Sequence, residues 1–117
     1  MESGPGMEKN NVKRYEIHWV NLDHTKGSEQ KKRRPCVIVS PDELNEVLST
    51  VTIVPLTSTV RGFPFRTRCV VNGVSGELIC EQIRTVSIER FDGKLGELSS
   101  KEAEELRQIL YKMLCEE

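Results

Sequence analysis

One stretch of this 117-residue chain concentrates side chains able to handle a phosphodiester: Thr25-Lys26-Gly27-Ser28-Glu29-Gln30-Lys31-Lys32-Arg33-Arg34-Pro35. It places a carboxylate, an amide, hydroxyls and several cations on one polar loop. Arg34 stands where that loop enters an apolar run, and Pro35 fixes the backbone there, so Arg34 is better ordered than Lys31 or Lys32. A second hydroxyl cluster, Thr57-Ser58-Thr59, leaves another apolar run just after Pro55-Leu56. If the two runs are neighbouring strands, Arg34 and Thr57 meet at one rim. A guanidinium grips phosphate oxygens with a bidentate fork, and a threonine hydroxyl supplies a further donor. RNA cleavage by attack of the 2′-hydroxyl needs no metal, only help with proton transfer and with the charge that builds on the phosphorane. Arg34 suits the second task, and Glu29 suits the first as a base or as the residue that orients one. A guanidinium with its pKa above about 12 is a poor proton acceptor near neutrality. Loop chemistry alone therefore reads as a phosphate-binding surface, short of an enzyme.

The elements that must position these residues are mostly short strands. Tyr15, Ile17 and Trp19 alternate over 15–22, which predicts a first strand. Cys36 to Val39 reads as a buried strand, followed by Ser40 as N-cap, Pro41 at the first helical position and Glu43 closing a capping box for a helix over 41–48. Thr50 to Leu56 predicts a strand with Pro55 at an edge or bulge. Strands over 65–71 and 76–80 flank an Asn72-Gly73 turn, and 83–87 adds one more. From Ser99 onward the pattern turns helical, with Ser99 and Glu102 as a capping box and Ala103, Leu106, Ile109, Leu110, Met113 and Leu114 along one face. Five or six strands closed by one helix predict a mainly β fold, a small bent barrel with a helix packed on it.

Composition narrows the class. One domain's length, with 37% apolar and 30% charged residues, predicts a globular chain and excludes a disordered one. No apolar run reaches the roughly 20 residues of a membrane-spanning helix, and no signal peptide is recognisable, so a cytoplasmic protein is expected. Seventeen basic against eighteen acidic residues give a net charge of −1, so bulk charge does not bind a polyanion. Residues 97–117 carry a local −3, leaving +2 elsewhere, much of it in the two loops. Cys36, Cys69, Cys80 and Cys115 show no paired spacing, which disfavours zinc; three sit in apolar runs and read as reduced core thiols. Residues 1–13 read as a cloning scar and flexible lead-in, and 14–117 as a single domain.

Taken in order, Ile17-His18-Trp19-Val20, Thr25-Lys26-Gly27-Ser28-Glu29-Gln30, Arg34-Pro35-Cys36-Val37-Ile38-Val39-Ser40-Pro41, Val54-Pro55-Leu56-Thr57-Ser58, Gly62-Phe63-Pro64-Phe65 and Glu81-Gln82-Ile83-Arg84-Thr85-Val86 resemble the MazF/PemK (Kid) toxin family. The likeness spans nearly all of 14–114. It implies an SH3-like barrel with a short internal helix and a C-terminal helix, acting as a homodimer. The implied activity is that of a sequence-selective mRNA interferase. Such an enzyme is a metal-independent endoribonuclease that needs no cofactor, cuts single-stranded RNA and leaves a 2′,3′-cyclic phosphate. The implied partner is a cognate antitoxin whose disordered segment lies over the RNA groove. By the same resemblance Arg34, Thr57 and Glu29 are the catalytic residues, and Ser28, Gln30, Gln82 and Arg84 fall in RNA-contacting blocks.

Lys31, Lys32 and Arg33 read as a cationic patch that steers RNA and adds backbone contacts. His24 stands where the family commonly has proline, and Tyr15 where it often has glycine. His24 is expected to be an exposed loop residue, and His18 a partly buried one with a hydrogen-bond partner. Trp19 and Phe65 are expected in the core. The alternative function is a non-catalytic protein-binding module on the same fold, like the CcdB toxins that trap DNA gyrase. Such a module has no use for Glu29, Arg34 and Thr57 together.

Overall fold

The computed structural model describes residues 11–22 and 33–116. Seven strands form one strongly curled antiparallel sheet: β1 (Glu16–Asn21), β2 (Arg33–Ile38), β3 (Thr50–Thr57), β4 (Arg66–Val71), β5 (Val74–Ile79), β6 (Arg84–Ser87) and β7 (Phe91–Glu97). A short helix, α1 (Asp42–Asn45), joins β2 to β3, and a long one, α2 (Ser100–Leu114), closes the chain. The sheet order is β4-β5-β3-β2-β1-β7, with β6 also paired to β3. The mainly β fold, the short internal helix and the C-terminal helix are those expected. No described helix is long and apolar enough to cross a membrane.

The middle of the sheet is covered on both faces. Cys36, Val37 and Ile38 in β2 are each fully buried although their side chains alternate in direction. One face carries Ile17, Val37, Val54, Leu56 and Leu78 under Ala103 and Leu106 of α2. The other carries Val12, Val20, Cys36, Ile38, Val51, Ile53 and Val86. Ile109, Leu110 and Met113 of α2 pack part-buried on the first cluster, whereas Leu114 is exposed. Ser99 caps α2 in a complete capping box with Glu102, as expected. Fully burying a side chain such as Leu106 is worth roughly 1.5–3 kcal/mol, so α2 is held chiefly by this seam.

Three local expectations differ from the structure. α1 is shorter than 41–48, and Pro41 takes the N-cap place without a side-chain bond. Ser40 is engaged elsewhere: its hydroxyl donates to Asn45 Oδ1 at 2.7 Å and accepts the Thr52 N–H at 3.1 Å. Pro55 is central, not on an edge. The neighbour of β3 on that side changes from β6, which ends opposite Ile53, to β5, which begins opposite Leu56. The missing N–H therefore falls at the changeover, where a ladder bond is least needed. Phe65 is 42% exposed and lies just before β4, in a left-handed conformation with φ 61°, outside the core.

The Asn72-Gly73 turn does behave as expected, with both residues at positive φ (51° and 80°) between paired Val71 and Val74. β7, which sequence alternation did not reveal, pairs with β1 and completes the curl.

Candidate active site

β2 and β3 are antiparallel neighbours, with Cys36 opposite Pro55, Val37 opposite Val54 and Ile38 opposite Ile53. Continued two residues outward along both strands, that register brings Arg34 level with Thr57. On the other side of β3, Thr57 is paired with Glu77 of β5. Opposed residues project to one face of a sheet, so Arg34, Thr57 and Glu77 form one row across β2, β3 and β5. Gly76 makes this close approach possible. A Cβ there would meet Leu56 Cδ2 at 2.5 Å and the Thr57 carbonyl oxygen at 3.0 Å.

Arg84, at the start of β6, is paired with Ile53 and joins the same face four residues from Thr57 along β3. Both Arg34 and Arg84 are exposed, and both act electrostatically on the Cys36 thiol buried between them. Burial pushes that thiol up to about 12, and the two guanidiniums only partly offset it, so Cys36 is an inert filler and not a nucleophile. Among the described residues neither Arg34 nor Arg84 has a carboxylate partner. The face thus exposes two guanidiniums along β3, which ends at the Thr57 hydroxyl, whose oxygen accepts the Thr59 N–H at 3.1 Å and so has its own proton free to donate.

The other expected site residues are distributed differently. Gln82 is exposed in a 3-10 turn (Cys80–Gln82) leading to Arg84. Arg33 alternates to the opposite face from Arg34. There its guanidinium lies 4.5 Å over the half-buried Trp19 ring and 2.9 Å from Asp92. Glu29, Ser28, Gln30, Lys31 and His24 lie outside the described residues. His18 is buried with its Nε2 at 2.9 Å from Glu16 Oε1 and its ring edge-on to Phe91 at 5.3 Å, the histidine with a partner that was expected.

A buried ion-pair network beside Thr57 escaped the sequence reading. Glu77 is 2% exposed. Its Oε1 accepts the Arg61 N–H at 3.1 Å and Arg66 Nη1 at 3.1 Å, and its Oε2 accepts the Gly62 N–H at 2.9 Å. The Arg61 N–H, with the Gly62 N–H and the Arg66 guanidinium, holds the Glu77 carboxyl below its ordinary value against the burial that would raise it. Arg66 also binds Glu81 through both Nε and Nη2, and that contact lowers the Glu81 carboxyl. The available signal was a lone carboxylate inside the run Gly76-Glu77-Leu78-Ile79-Cys80, a position that demands a buried partner.

Comparison with known proteins agrees with this fold. Residues 13–114 match the family of PemK-like, MazF-like toxins of type II toxin–antitoxin systems. The chain is 32% identical over 109 residues to the endoribonuclease MazF9 of Mycobacterium tuberculosis, covering 85% of this chain and 92% of that one. Among solved structures it resembles a MazF from Deinococcus radiodurans, with a TM-score of 0.74 and 28% identity over 88% of this chain and 96% of that one. It also shares the fold of a mycobacterial endoribonuclease solved with its cognate antitoxin, with a TM-score of 0.76 and 21% identity over 88% of this chain and 94% of that one. A curled sheet of this fold and a match across nearly the whole chain establish that this protein belongs to the PemK/MazF toxin family.

Proposed function

We propose that this chain is a toxin-type, sequence-selective endoribonuclease that cuts single-stranded RNA without a metal and is held in check by a cognate antitoxin. The observation that carries the reading is the rim itself. The β2–β3 register, continued outward, sets Arg34 level with Thr57, and Arg84 shares the face, with no described carboxylate on either guanidinium. Such a surface stabilises the extra negative charge of a phosphorane better than it stabilises a ground-state diester.

In the proposed step the 2′-oxygen attacks the adjacent phosphorus and the bond from phosphorus to the 5′-oxygen breaks. The products are a 2′,3′-cyclic phosphate and a 5′-hydroxyl. Glu29 takes or directs the proton leaving the 2′-hydroxyl, and the departing 5′-oxygen gains a proton from water. Arg34 grips the non-bridging oxygens, and Thr57 donates its hydroxyl hydrogen to one of them. DNA lacks the attacking group and is not a substrate. Ser28, Gln30, Lys31, Gln82 and Arg84 line the path of the strand, with Arg33 beside it. The active unit is a homodimer in the cytoplasm, with the antitoxin's disordered segment covering the RNA groove. Family membership supports these last assignments.

Incubating the purified chain with a long single-stranded RNA in EDTA, beside Arg34→Ala, tests the proposal. Discrete cuts at a short recurring sequence, lost in Arg34→Ala, are expected. Intact RNA after incubation with folded, antitoxin-free protein overturns the reading and favours a protein-binding toxin on the same barrel.

A further inference from the structure

The loop from Ser58 to Phe65 leaves the site at Thr57 and returns into β4, and its middle is bolted down. Glu77, paired with Thr57 across the β3–β5 ladder, takes the N–H groups of Arg61 and Gly62 on its two oxygens. Arg66, at the loop's far end, is pinned by Glu77 and Glu81, and its side chain is only 8% exposed. Over this frame stands Phe63, whose ring lies 4.8 Å from the Arg66 guanidinium and 5.9 Å from that of Arg61. A large apolar ring held in place normally belongs in a core, yet Phe63 is 49% exposed. The two arginines differ in availability: Arg66 is committed to two carboxylates, whereas the Arg61 side chain has no carboxylate partner among the described residues.

We propose that Phe63 is a nucleobase-stacking platform for the RNA strand running past Thr57, with Arg61 gripping the adjoining phosphate and Glu77 fixing the loop that carries both. The inference rests on the RNA reading above and adds a subsite to it. An exposed aromatic face beside an uncommitted cation is the pairing that single-stranded nucleic acids select, because every base has a π-face and every link a negative phosphate. Rigidity supplies the rest: a ring already ordered by Arg66 loses little freedom when a base stacks on it. Stacking is sequence-tolerant, so this subsite strengthens binding along the strand and leaves base choice to other contacts.

The test measures binding apart from cleavage, using fluorescence anisotropy with a short mixed-sequence 2′-deoxy oligonucleotide that the enzyme cannot cut, and its abasic counterpart. Phe63→Ala is expected to weaken binding of the base-bearing strand by roughly 5- to 100-fold. It is expected to leave binding of the abasic strand nearly unchanged, and Phe63→Trp to restore affinity. Arg61→Gln is expected to lower the slope of log affinity against log salt by about one contact's worth on both strands.

Equal affinities for wild type and Phe63→Ala overturn the platform, and RNA cleavage by the wild type then judges the enzymatic reading separately. An equal loss on both strands also overturns it, since Phe63 would be acting through the loop and not through a base. Wild type that binds but does not cut leaves the platform to be decided by these variants while refuting the nuclease. Wild type that neither binds nor cuts overturns both.

Discussion

Arg34 on β2 and Arg66 on β4 lie in the same sheet, on either side of the β3–β5 pair, yet the fold treats them in opposite ways. Arg66 has a side chain 8% exposed and is neutralised by Glu77 and Glu81. Arg34 is exposed, shares its face with Arg84, and meets no described carboxylate. A guanidinium satisfied inside the protein gives shape, because its charge has nothing left to offer a ligand. One left unsatisfied on a rigid strand is a standing site for an anion, since its desolvation and its pairing are both postponed until the ligand arrives. The sheet thus separates an arginine committed to internal carboxylates from one left open to a ligand.

Truncating each arginine's system separates the two roles most sharply. Arg34→Ala is expected to lower the rate of RNA cleavage by at least about 10²- to 10³-fold, the loss typical of one preorganised transition-state donor. Its Tm is expected to stay close to that of the wild type, because an exposed side chain without an internal partner is removed. Glu77→Ala is expected to do the reverse in stability, lowering Tm by several degrees. It leaves the Arg61 and Gly62 N–H groups without their acceptor and takes from Arg66 one of its two carboxylates, leaving Glu81 alone. Thermal melts beside single-turnover cleavage check both; a large Tm loss in Arg34→Ala, or none in Glu77→Ala, breaks the comparison.

Acid sharpens the same contrast with a smaller effect. The Glu77 and Glu81 carboxyls are held below their ordinary value in the fold, Glu77 first by the Arg61 N–H and Glu81 first by Arg66. Between the folded and unfolded pKa values the unfolded chain binds more protons, so stability falls as pH falls through that window. The contribution is complete above the ordinary carboxylate range and vanishes below the lowered folded values. Urea midpoints measured from neutrality down through that range are expected to drop more steeply for wild type than for Glu77→Gln. For Arg34→Ala they are expected to track the wild type, since Arg34 pairs with neither carboxylate.

The contrast also shows which parts of the molecule were legible in the sequence. The Asn72-Gly73 turn, the Ser99–Glu102 box and the alternation of β1 are local signals, and the structure carries each where its residues announce it. The adjacency of β2 and β3 was inferred from strand order, and the register then brings Arg34 level with Thr57. What escaped is non-local. Ser40 looks like a cap from its neighbours alone, but the Thr52 N–H, brought in by the return of β3, and Asn45 at the end of α1 claim its hydroxyl. Phe65 looks like core by its type, yet its left-handed φ of 61° turns it out just before β4 begins. Glu77 has no meaning until β5 lies against β3 and brings it under the loop that it anchors.

The smallest effect is expected at Arg33, the residue next to Arg34 and sent by strand alternation to the other face. Its ion pair with Asp92 at 2.9 Å joins side chains that are 42% and 59% exposed, a setting in which such pairs contribute about 0–1 kcal/mol. Its position 4.5 Å over Trp19 adds a cation–π contact of about 0.5–1 kcal/mol where solvent reaches it. Arg33→Gln is therefore expected to lower Tm only slightly and to reduce cleavage no more than a few-fold. What remains is expected to be a salt effect, because a cation near the groove still speeds the approach of RNA. Cleavage rates at low and high salt check this: the variant's deficit is expected at low salt and to fade as salt rises. A deficit as deep as that of Arg34→Ala, and indifferent to salt, would place Arg33 in direct contact with the scissile phosphate and dissolve the distinction between the two faces of β2.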